Sequence, residues 1–207
     1  MTIKKINARF STSAGISYVE LLVVVSIIII FGTVAVIYYN PINSGYKPDD
    51  TTLQVMRFMR EATNLSAAQR RRMRVEIDST NRTISLYNEE GTVSPTDDVL
   101  VRQEVLPGST YVAFTQPTGV SLPAAPYNYT AAAYDATTGI WKGYFQGDGS
   151  ITDSSNIPLS ATFFFCPPGA TSTSGSAGQI RAITIFGPSG AIREWKYRSG
   201  SLQTGVN

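Results

Sequence analysis

Residues 16–39, "ISYVELLVVVSIIIIFGTVAVIYY", form an apolar run broken only by Ser17, Glu20, Ser26, Gly32 and Thr33. At ~1.5 Å rise per residue such a helix extends about 36 Å, against roughly 30 Å for a bilayer core. The many Val and Ile weaken a helix in water, but in lipid the helix is the one way for a single segment to satisfy its own backbone. The pattern predicts a membrane-crossing helix over 16–39. "YYNPINSGYKPDD" then gathers Asn, Pro, Ser, Gly and Asp, which predicts a kink or linker over 40–50. Asp50 or Thr51 offers an N-cap for a second helix. Val55, Phe58, Met59, Ala62 and Leu65 recur at helical spacing and give it one apolar stripe.

From Arg72 onward the period drops to two. Met73, Val75 and Ile77 alternate with polar residues, "DSTNRT" turns, and Ile84 and Leu86 resume the alternation, which predicts a β-hairpin. Further strands are expected at "DVLVRQEVL", "STYVAFTQ", "GIWKGYFQ", "ATFFFCP", "QIRAITIFG" and "AIREWKYRS", with Gly-, Pro-, Ser- and Thr-rich loops between them. The fold class that follows is α+β: a long N-terminal hydrophobic α-helix, a short helix, and an antiparallel β-sheet head over 51–207.

Composition narrows the chemistry. The 207 residues are 43% hydrophobic and 15% charged, with seventeen Lys+Arg against fifteen Asp+Glu. A formal net charge of +2 argues against a general polyanion binder. There is no His, which removes the commonest general base and metal ligand. The single Cys, Cys166, rules out an intrachain disulfide and a cysteine metal cluster; between three Phe and two Pro it reads as a small buried hydrophobe. "GDG" at 147–149 with Asp153 lacks the ligand spacing of an EF-hand and reads as a tight turn. "GPSG" at 187–190 lacks the spacing of a nucleophile elbow. No catalytic residue, metal or cofactor is expected. Arg70–Arg72 and Arg74 read as a solvated helix end, since no aromatic residues interleave them. Arg193, Lys196 and Arg198 are the candidates for a basic surface that contacts DNA, although Trp195 and Tyr197 share the phase of Arg193.

One residue remains unexplained. Glu20 sits inside the apolar run, where a carboxylate costs ~2.5–3.5 kcal/mol on insertion scales. Gly15, Ile16 and Glu20, followed by "LLVV", resemble the leader junction of type IV pilins and type II secretion pseudopilins, whose usual pattern is G-F-T-L-I-E-L-L-V-V; here Ile16 replaces Phe and Tyr18 replaces Leu. The order of helix, hairpin and two late strand–turn units, "GYFQGDGS" and "ITIFGPSGAIREWKY", is similar to the GspH/FimT group, the H-type minor pseudopilins and FimT-type minor pilins. The resemblance implies a type IV pilin-like fold and a class III leader over 1–15. It also implies cleavage by a prepilin peptidase between Gly15 and Ile16, N-methylation of Ile16, and use of Glu20 to set register during assembly.

The resemblance further implies a structural subunit, a minor pilin or minor pseudopilin at or near a filament tip. The alternative it carries is a DNA-uptake minor pilin. The implied partners are the peptidase/N-methyltransferase, other pilins or pseudopilins, an inner-membrane assembly platform, and lipid before assembly. Lys4, Lys5 and Arg9 ahead of the apolar run predict a cytoplasmic N-terminus, a single pass through the bacterial inner membrane and a periplasmic head. Removing them leaves fourteen basic residues against fifteen acidic, a net charge of −1.

Overall fold

The computed structural model describes residues 17–89, 98–106 and 112–204, without the side chains of residues 35–46. The chain divides into two compact units, Met1–Pro41 and Ile42–Asn207. The described residues hold one α-helix, a single 3-10 turn at Ala177–Gln179, and nine strands in two antiparallel sheets.

The expected pilin-like arrangement of a hydrophobic helix, a separate short helix and one sheet is overturned. A single helix, α1 (Tyr18–Gln69), runs without a break through "NPINSGYKPDD". The physical reason is visible at the supposed cap. Thr51 and Thr52 do not cap a new helix; their hydroxyls donate back to the carbonyls of Lys47 at 2.9 Å and Pro48 at 2.7 Å, one turn earlier. Both threonines are buried, so they act as interior residues of a helix that is already running.

The single-pass inner-membrane placement is also withdrawn. No helix among the described residues is long and apolar enough to cross a membrane.

The second unit is built from layers. The first sheet has the order β3-β2-β1-β4-β5, from β3 (Val99–Val105), β2 (Thr83–Asn88), β1 (Met73–Asp78), β4 (Ile140–Phe145) and β5 (Ile151–Thr152). The second has the order β6-β7-β8-β9, from β6 (Ala161–Phe165), β7 (Arg181–Phe186), β8 (Ala191–Arg198) and β9 (Ser201–Thr204). The β1–β2 hairpin has the register that alternation implies, with Val75 opposite Leu86 and Ile77 opposite Ile84. Of the segment 109–116, described from Val112, the structure retains an isolated bridge between Ala113 and Cys166.

Two cores result. Val55, Phe58, Met59 and Ala62 of α1 pack with Val75, Ile84, Trp141, Phe163, Phe165 and Ile183, so this stretch of helix contributes to one core with both sheets. On the other face of the second sheet, Phe164, Cys166, Trp195 and Tyr197 pack against Val120, Leu122 and Tyr127 of the 112–135 loop. The run Phe163–Phe164–Phe165 therefore serves both cores, because successive strand residues point to opposite faces. The sheets meet where Ile151 donates to the Gly187 carbonyl at 2.7 Å and Leu159 donates to the Ile151 carbonyl at 2.8 Å. A Cβ on Gly187 would press on that backbone, so the junction needs glycine.

Candidate assembly surfaces

Three surfaces bear on function. The first is the start of α1. Every side chain from 17 to 34 is exposed, including Leu22, Ile28 and Phe31 at 53%, 63% and 70%. The apolar groups cover the whole helix circumference, and the polar ones are turned inward on the backbone: Ser26 Oγ donates to the Leu22 carbonyl and Thr33 Oγ1 to the Ile30 carbonyl, each at 2.8 Å. Glu20 is the one charged residue in this stretch. It lies in the first turn of α1 and is exposed, where the positive end of the helix dipole favours a carboxylate. Gly15 and Ile16, the expected cleavage and methylation positions, lie outside the described residues, as does the rest of the expected leader.

The second surface holds Arg193, Lys196 and Arg198, the candidates for contact with DNA. Arg193, Lys196 and Arg198 all lie on β8 but do not share a face. The Arg193 guanidinium rests on the Tyr127 ring, 4.2 Å from its centroid, beside the Tyr127–Trp195 aromatic pair. Lys196 lies on the opposite face, 3.8 Å from Asp49 and 3.7 Å from Glu194. Asp49 is also held by Arg181, at 2.5 Å to Nε and 3.1 Å to Nη2, which ties α1 to β7. Arg198 is exposed at the end of the strand.

The run Arg70–Arg74 is likewise not a free helix end. Arg70 leaves the helix in the left-handed region, with φ of 50°. Arg72 pairs with Glu89 at 2.7 Å and lies 3.8 Å above the Tyr144 ring. Arg74 is buried in β1 and meets Asp98, Glu76 at 3.0 Å and Glu89 at 3.5 Å. Burial opposes its charge, but the three carboxylates outweigh burial and raise its pKa. Burial likewise holds the Glu89 carboxyl above its ordinary value, against the pull of Arg72 and Arg74.

The third surface is a groove of about 530 Å³ between α1 and β3, lined by Leu53, Gln54, Phe58, Glu61, Arg102 and Glu104 among others. Arg102 bridges Glu61 at 2.6 Å and also meets Glu104. Gln54 donates to Glu104 at 2.5 Å and, with Arg102, holds that carboxyl below its ordinary value. The sequence signal for this surface was available in "VLVRQEV", where apolar side chains do not keep strict alternation with polar ones.

Nothing among these groups forms a catalytic arrangement. Asp148 accepts from the amide and hydroxyl of Ser150, and Asp153 accepts from the amides of Ser155 and Ile157, so both serve their own turns. Among the described residues no group of three His, Cys, Asp or Glu could hold a metal ion. Cys166 is buried, which pushes its thiol up to about 11. The two late strand–turn units do meet: a Cβ on Gly190 would strike the carbonyl of Gly149. Comparison with protein-family models, curated proteins and solved structures found no match.

Proposed function

We propose that this chain is a structural subunit of a filament of the type IV pilin and type II secretion pseudopilin kind, and a minor one. The observation that supports the reading most is the first stretch of α1. Residues 18–34 expose apolar side chains on all sides of the helix and carry a single carboxylate. Exposed apolar surface of this extent marks a site that another surface covers. Covering each large aliphatic side chain contributes ~1.5–3 kcal/mol, and helices of like sequence offer a cover that is apolar on every side. Within such a bundle Glu20 needs a cation. Cleavage between Gly15 and Ile16 creates one, the amine of Ile16 on a neighbouring subunit, and the pairing fixes the register of docking.

The role needs no catalytic group, and Arg72, Arg74, Arg102 and Arg181 are engaged in ion pairs within the fold. Mass spectrometry of the N-terminus of the chain made in its own cells tests the reading. A mature chain that begins at Ile16 and carries one methyl group supports it. A chain that still begins at Met1 sinks it.

A further inference from the structure

We draw no further inference here: the strongest candidate, the groove of about 530 Å³ between α1 and β3 with the exposed apolar side chains of β3 beside it, carries nothing, because Arg102 on its wall is already paired with Glu61 and Glu104 within the chain and nothing among the described residues shows what covers it.

Discussion

Replacing Arg74 with Met should destabilise the second unit by ~3 kcal/mol near neutral pH. Arg74 is buried and faces Asp98, Glu76 and Glu89. Removing one partner of a buried ion pair costs ~3–5 kcal/mol, because a charge is left desolvated with nothing to offset it. The lower end applies here. Glu89 keeps Arg72 at 2.7 Å and Glu76 keeps Lys142 at 3.5 Å, so Asp98 is the carboxylate left without a cation among the described residues. For a chain of this size the loss lowers Tm by roughly 6–12 °C. Urea unfolding followed by tryptophan fluorescence reads it, since Trp141 and Trp195 are both buried.

The pH dependence gives a second, sharper readout. Glu89 has a raised pKa in the folded state. A raised carboxyl favours the fold below its unfolded value, about 4.3, and that contribution is lost as pH rises through the folded pKa. Withdrawing Arg74 removes a cation that opposes the rise, so Glu89 moves further up. Protonation of Glu89 then offsets part of the loss, and the deficit of the variant should shrink as pH falls through the folded value of Glu89. A loss under ~1 kcal/mol would refute the buried network as a source of stability. A loss of the same size at about pH 7 and about pH 4.5 would refute its electrostatic origin.

Two further outcomes are expected. Gly143→Ala should cost ~1–3 kcal/mol by overpacking, because its Cβ would collide with the Trp141 indole, itself edge-on to Phe163 at 4.7 Å; an unchanged thermal midpoint would contradict this packing. Glu20→Ala should leave cleavage at Gly15 intact, read by mass spectrometry, yet remove the chain from purified filaments; normal incorporation would exclude a register role for this carboxylate.

The strands of the second unit were largely legible because alternation is a local signal. Met73, Val75 and Ile77 announced β1, and Ile84 and Leu86 its partner. The apolar stripe Val55, Phe58, Met59, Ala62 and Leu65 was equally plain, and the first four are buried while Leu65 is partly so. Misreading began where local chemistry and context disagree. Pro, Gly and Asn around residue 41 favour a break, yet α1 continues, with threonine hydroxyls bonding back along it. Sheet order is set by contacts distant in sequence, so one sheet was expected where two exist. "ATFFF" held the missing clue: a strand apolar at every position must be covered on both faces, which calls for another layer. The division of the basic residues of β8 between two faces was legible in the same way, since Arg193 lies in phase with buried Trp195 while Lys196 lies out of phase. The strand "SLQT" at β9 is too short and polar to announce itself.

The Phe163–Phe165 strand behaves as a party wall between two rooms. Phe164 furnishes the room under the 112–135 loop, and its two neighbours furnish the one under α1. Renovation on either side is therefore felt on the other, since a shift of the wall that accommodates a larger side chain in one room moves it into the other. Freedom to vary is left to the outer rims, at β9 and the turns, where a side chain can change without disturbing either room.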